Sequence, residues 1–323
     1  MAHELELKNG AASMFYVGDV PWHGLGTPLD RPATAKEAMA AAKLNWTVSK
    51  RELIAHPDIR VPNQYALVRD DTRNVLGIAG RTYTPLQNKD AFGFFDSIVG
   101  KKAAIYHTAG CLGQGERTWI LAKLPGYIRV VKEDVSEKFL LLSNGHDGKT
   151  SVQVKFTPVR VVCQNTLTLA LSQGATHQVW HSPIVHERLK EAGSLLGIVQ
   201  DGFQKLEDRF RAFSRVRMTP RRLKGYLEAV FPVEETRTEE AKLGVLGNRQ
   251  WAEFFFDQGR GSQLPGVRGT LWAALNSVTE LVDHRKARKG EGRKLNSIWF
   301  GEGYRIKERA LRIATDLLGH GRN

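Results

Sequence analysis

The sequence predicts an α+β fold, with a mostly antiparallel sheet in the N-terminal half and helices in the C-terminal half. Up to about residue 172, apolar and polar residues alternate in short runs bounded by Gly, Asn and Pro, the pattern of strands. Single helical stretches interrupt those runs without the regular strand–helix repeat of a parallel sheet. From about residue 173 apolar residues recur at steps of three and four. The length suits one large domain or two ordinary ones, and we expect a sheet domain over 1–172 and a mainly helical region over 173–323.

Residues 1–30 hold Gly, Pro and aromatics without periodicity, so an arm is expected there. Thr34 and Glu37 form a capping box for an Ala-rich helix running to Ala42. Strand-like runs follow at 46–55, 65–69 and 75–78. Tyr83-Thr84-Pro85-Leu86-Gln87-Asn88 leads into a helix bearing Ala91, Phe94, Phe95 and Ile98. Strands at 103–107 and 118–123 flank a glycine-rich loop at 109–115.

The most informative stretch is 139–171. An apolar run, Phe139 to Leu142, meets a turn cluster at 143–148, after which Val152, Val154 and Phe156 alternate with Gln153, Lys155 and Thr157. That is the pattern of a half-buried hairpin. Pro158 has no N–H to donate and marks a bulge or edge, and Val159, Val161 and Val162 resume the strand. Asn165 or Thr166 caps a short helix carrying Leu167, Leu169, Ala170 and Leu171. The polar face would present Lys149, Gln153, Lys155 and Arg160.

In the second half, Leu189, Ala192, Leu196, Val199, Phe203, Leu206, Phe210 and Phe213 make one long helical seam, for which an intrachain partner is favoured. Basic residues gather where it ends: Arg209, Arg211, Arg215, Arg217, Arg221, Arg222 and Lys224. Thr219 and Pro220 are an N-cap and first-turn pair for a helix that stops near Phe231. Residues 233–250 are polar and mixed in charge and read as a loop. A helix at 270–284 turns Leu271, Ala274, Val278 and Leu281 inward. A glycine-containing basic run follows at 285–294, with Arg285, Lys286, Arg288 and Lys289. A closing helix at 304–318 aligns Ile306, Ala310, Ile313 and Leu317.

Lys and Arg number 47 against 34 Asp and Glu, a net charge of +13 that favours a polyanionic partner. No apolar run approaches the roughly 18 residues of a membrane span, and the polar start MAHELELKNG lacks a secretory signal. Cys111 and Cys163 make neither a CxxC nor a disulfide framework, so a reducing cytoplasm is expected. The loop at 110–117 lacks the Lys-Ser/Thr of a P-loop, no dinucleotide fingerprint or zinc spacing occurs, and no cofactor or metal is implied. His177 and His181, at i and i+4, would share a helical face but have no third ligand nearby, and His23 sits in an aromatic–glycine turn. Asp147 with Lys155 loosely mimics a metal-dependent nuclease core, with Gln153 where a second carboxylate belongs.

Three segments carry a family resemblance: Pro21-Trp22-His23-Gly24-Leu25-Gly26, Tyr83 to Asn88, and Phe156-Thr157-Pro158-Val159-Arg160-Val161-Val162-Cys163-Gln164-Asn165-Thr166. Together with the region from Gly269 through His284 and the region from Phe300 to Ala310, they resemble the phage/plasmid-like protein family, a domain of unknown function common on mobile elements. The resemblance implies a phage, prophage or plasmid setting beside recombination and replication genes, and it brings no catalytic residues. The hairpin-then-helix layout is similar, in architecture alone, to ring-forming single-strand annealing proteins.

The expectation is a non-enzymatic, homo-oligomeric single-stranded DNA binder that promotes annealing in recombination. Its phosphate contacts would come from Lys149, Gln153, Lys155, Arg160, Arg209, Arg215, Arg217, Arg221, Arg222, Arg285, Lys286, Arg288 and Lys289. Two rivals stand beside it: a nuclease using Asp147 and Lys155, and a protein-binding, host-defence inhibitor module using the 189–213 seam.

Overall fold

A computed structural model describes residues 5–8, 11–18, 26–31, 33–99, 105–160, 169–170, 177–185, 187, 196–233, 238–285 and 294–319. The fold is α+β, with antiparallel-rich sheets and the longer helices in the C-terminal half. Two compact units form, each from discontinuous segments: one from 1–125, 139–156 and 170–200, the other from 126–138, 157–169 and 201–323.

The first unit begins with β1 (Leu7–Lys8), β2 (Ala11–Ala12), β3 (Met14–Val17) and β4 (Thr27–Leu29). The expected arm is therefore part of the sheet: β3 pairs with β4 and with β8 (Ile105–Leu112), and Leu5, Met14 and Phe15 are buried. The segment 21–25, with Trp22 and His23, lies outside the described residues. α1 (Ala35–Ala41) starts at the Thr34–Glu37 capping box, with both reciprocal hydrogen bonds present. β5 (Val48–Ala55), β6 (Ile59–Arg69) and β7 (Val75–Gly80) form a separate three-stranded sheet. α2 (Asn88–Val99) follows the Tyr83–Asn88 motif.

β8 runs to Leu112, so the glycine-rich stretch at 109–115 is largely strand, and only the turn at 113–116 joins it to β9 (Arg117–Val131). β9 and β10 (Asp134–Gly145) contribute to both units, and β10 pairs with β11 (Val152–Phe156) in the expected hairpin. Both faces of β11 are covered. Val152, Val154 and Phe156 are buried, but so are Ser151, Lys155 and Thr157, so the solvated polar face is not formed. β12 (Val159–Arg160) resumes pairing with β10 beyond Pro158. Leu169 and Ala170 form β13, a strand where a helix was expected; the rest of 161–171 lies outside the described residues. His177 belongs to β14 (His177–Val179), so the two histidines do not share a helix.

The turn between β10 and β11 is pressed against β7. Gly148 has φ +76°, and a side chain there would meet the Ile78 carbonyl; one on Gly77 would meet the backbone of Asp147. Only glycine satisfies both demands.

The second unit is a helical layer packed on 126–138. α3 (Leu196–Arg215) buries Phe203, Leu206, Phe210 and Phe213; Lys138 lies over the Phe203 ring and Phe210 packs on Trp272 of the same unit, while 189–195 lie outside the described residues. α4 (Pro220–Val230) starts at the Thr219 N-cap and stops at Phe231. α5 (Glu239–Gln258) replaces the expected loop at 233–250. Thr238 caps it, and Glu239 and Glu240 occupy its first turn.

α6 (Leu271–Glu280) is the centre of this unit. Capped by Thr270, it has all ten residues buried and passes into a π-turn at Leu281–Arg285. Its Trp272 donates from Nε1 to the buried Asp134 carboxylate at 2.7 Å and stacks on Phe210 at 4.6 Å. α7 (Lys294–Trp299) and α8 (Glu302–Gly319) close the layer, with Ile306 and Ala310 buried and Tyr226 donating its hydroxyl to the Ala310 carbonyl. Among the described residues no helix is long and apolar enough to cross a membrane.

Candidate nucleic-acid interface

The end of α3 and the start of α4 form a basic corner. The chain leaves α3 at Arg215 and pairs briefly with the loop before α6: Leu271 N–H donates to the Val216 carbonyl at 2.9 Å and Met218 N–H to the Gly269 carbonyl at 3.0 Å. Thr219 then accepts from the Arg222 N–H and starts α4. This clip brings Arg268 beside the corner, and Arg217 donates from Nη1 to the Arg268 carbonyl at 2.8 Å. Arg222 donates from Nη1 to the Arg217 carbonyl at 3.2 Å. Carbonyl acceptors orient a guanidinium without neutralising it.

Arg215, Arg217, Arg221, Arg222, Lys224 and Arg268 are all exposed. No Asp or Glu occurs between Arg209 and Leu227. Among the described residues none of these six cations forms an ion pair; Arg211, in contrast, is tied to Glu207 and to the Arg129 carbonyl. Concentrated, uncompensated, exposed cations are the electrostatic footprint of a phosphate-binding surface.

The other expected contacts fare differently. Lys149 is exposed in the β10–β11 turn, Gln153 is half-buried, and Lys155 is 5% exposed, so Lys155 cannot reach a phosphate as placed. Arg160 lies on β12, its side chain outside the described residues, and Arg209 is half-buried on α3. Arg285 stacks over Trp251, while Lys286, Arg288 and Lys289 lie outside the described residues. The structure thus brings together Arg215, Arg217, Arg221 and Arg222. It adds Lys224, which the sequence placed in the same run, and Arg268, which no local signal linked to it.

The first unit holds a buried polar cluster built on the Tyr83–Asn88 motif. Gln87 both accepts from the Val48 N–H (2.9 Å) and donates to the Val48 carbonyl (3.0 Å). Asn88 donates to the carbonyls of Leu44 and Trp46, which turns its Oδ1 to His146 Nε2 at 3.2 Å. Asn144 donates to the Leu86 carbonyl, the Leu86 N–H donates to His181 Nδ1, and Tyr83 donates to the Gly145 carbonyl. Burial lowers the His146 pKa to about 3 and that of His181 to about 4, so both rings are neutral.

Beside this cluster, Asp147 accepts at Oδ1 from the amides of Lys149 (2.9 Å) and Thr150 (2.7 Å) and at Oδ2 from the Thr150 hydroxyl (2.6 Å). Burial acts to raise its pKa, but those donors outweigh it and hold the value below normal. Asp147 is a turn anchor, and among the described residues no group of three or more His, Cys, Asp or Glu side chains is placed to hold a metal ion. Among the described residues, Asp147 and Lys155 are not joined by the further carboxylates that a metal-dependent nuclease core would need.

Fold and corner define an α+β protein with a cationic surface, and the match to known families gives its membership. The model of the DUF932 family, a domain of unknown function, matches residues 75–299, and the chain belongs to that family. The match runs from β7 to the end of α7 and so contains both the basic corner and the His146 turn. No curated protein and no solved structure matches the chain.

Proposed function

We propose that the chain is a non-enzymatic, oligomeric protein that binds single-stranded DNA through its phosphates and promotes strand annealing. The observation that carries this reading is the α3–α4 corner, where exposed cations gather without a carboxylate among them. Such a surface gains affinity by releasing the counterions condensed on a polyanion. An annealing protein must offset repulsion between two backbones while leaving base edges open, and contacts directed at phosphates suit that task. The reading also places the protein in the cytoplasm of a host carrying phage or plasmid genes. The resemblance of the Pro21–Gly26, Tyr83–Asn88 and Phe156–Thr166 segments to phage/plasmid-like proteins supports that setting.

Neither rival draws support from the geometry. Both Asp147 oxygens are engaged in a turn and Lys155 is buried, which disfavours a nuclease. Of the 189–213 seam proposed for an inhibitor, Phe203, Leu206, Phe210 and Phe213 are buried, which leaves less apolar surface there for a partner.

The test is fluorescence anisotropy of a labelled single strand, with a duplex control, over a salt series without added metal. Salt-sensitive binding that prefers the single strand, followed by accelerated annealing of complementary strands, is expected. No binding at low salt overturns the reading.

A further inference from the structure

We propose that Tyr127 on β9 is a nucleobase-stacking subsite, and that it gives the basic corner its preference for single strands. The proposal rests on the DNA-binding reading above and supplies a contact which that reading lacks. Phosphates are common to single strands and duplexes, so the cations of the corner do not by themselves distinguish the two. A ring that takes an unstacked base does.

β9 connects this ring to the corner within the second unit. Val131, the last residue of β9, lies against Gly266, two residues before Arg268: a side chain on Gly266 would meet Val131 at 3.1 Å. Two residues back, the Arg129 carbonyl accepts from Arg211 Nε at 2.9 Å, about one helical turn before Arg215. Tyr127 follows after two more residues, about 13 Å along the strand from Val131. One short single strand can therefore touch both the ring and the corner.

The strand presents the ring openly. Ile128 and Val130 are buried while Tyr127 and Arg129 are exposed, so alternation sets Tyr127 and Arg129 on one outer face. Tyr127 is 52% exposed, and among the described residues no other ring or cation stacks on it. Pairing with β8 ends at Lys123, so no described residue of β8 pairs alongside it. Arg129 is oriented as the corner arginines are: it donates from Nη1 to the Lys132 carbonyl at 2.8 Å and forms no ion pair among the described residues.

A lone exposed tyrosine is ordinary on a protein surface. An open ring beside an unpaired arginine, on a strand that leads to a cationic corner, is the combination that holds single strands. The hairpin itself is not strongly cationic, because Glu133 in its turn and Glu137 on β10 offset Arg129 and Lys132. Attraction at Tyr127 is therefore to the face of a base rather than to a phosphate. Stacking grips that face and leaves the Watson–Crick edge free, as annealing requires. A duplex keeps its bases stacked on one another and cannot use the ring.

Anisotropy with single-stranded and duplex oligonucleotides separates this subsite from the corner. Tyr127→Ala should weaken single-strand binding roughly 5- to 150-fold, the range for loss of one base–aromatic stack. Duplex affinity, the salt slope and the melting temperature should stay at wild-type values. Tyr127→Phe, which keeps the ring and loses only the hydroxyl, should bind like wild type. A strand carrying a halogenated uracil should crosslink under ultraviolet light to the peptide that contains Tyr127. Wild-type single-strand affinity for Tyr127→Ala, or crosslinks confined to other peptides, overturns the subsite and leaves the corner reading standing. Equal losses for single strand and duplex overturn it as well, since loss of a stack would spare the duplex. A wild-type chain that binds no single strand at low salt overturns both readings.

Discussion

Lys307 on α8 places its ammonium 2.8 Å from the carboxylate of Asp283 in the π-turn after α6, and both side chains are buried. The pair joins the two helices at the centre of the second unit. Burial lowers the Lys307 pKa against the raising influence of Asp283. Removing one partner strands the other charge in a low-dielectric interior, so Lys307→Met should cost about 3–5 kcal/mol in urea unfolding. Lys307→Met combined with Asp283→Leu should recover most of that loss, because two apolar groups leave no charge to desolvate.

Gly148→Ala tests the contact between the β10–β11 turn and β7. The left-handed conformation at φ +76° costs an L-residue about 1–2 kcal/mol. The added methyl group would also meet the Ile78 carbonyl, so the measured loss should exceed that figure. A thermal or denaturant midpoint equal to wild type would show that the turn is not held against β7.

The buried histidines predict acid sensitivity. Unfolded histidine titrates near pH 6.5, while burial holds His146 at about 3 and His181 at about 4. Below pH 6.5 the unfolded chain therefore binds protons that the folded chain excludes, and stability falls as pH drops. The slope for each histidine approaches about 1.4 kcal/mol per pH unit between its two pKa values. Below pH 4 the depressed Asp147 carboxylate acts in the same direction. Urea titrations between pH 7 and pH 4.5 should show this decline, and His181→Asn should reduce its slope by about half.

What was legible in the sequence was local. The Thr34–Glu37 box and the Thr219–Pro220 start involve atoms within one helical turn, and each begins a helix where expected. Alternation around Val152–Phe156 gave the hairpin and its register sense, but a period of two tells only which residues share a face. It cannot tell whether a further layer covers the second face, and here burial of Lys155 and Thr157 shows that it is covered. α5 escaped notice because its exposed side carries Leu243, Leu246 and Phe254 among charges, which blurs the helical period; its Thr238-Glu239-Glu240 start was the signal available. The basic corner was half legible. Arg215 to Lys224 form a run, whereas Arg268 joins them through the pairing of 216–218 with 269–271, a contact between distant segments.

That geometry sets the sharpest prediction for the corner. Arg221 and Arg222 are exposed on the first turn of α4 and bear no ion pair among the described residues, so their loss should leave packing intact. Each phosphate contact on a single strand contributes about 0.7 to the slope of log K against log salt. Arg221→Gln with Arg222→Gln should therefore lower the magnitude of that slope by roughly 1.4 and weaken binding of all sequences alike, with an unchanged melting temperature. Lys155→Gln, in contrast, removes a buried side chain, so it should lower the melting temperature while the salt slope of the folded protein stays at the wild-type value. Equal slopes for wild type and the arginine pair would move the interface away from α4.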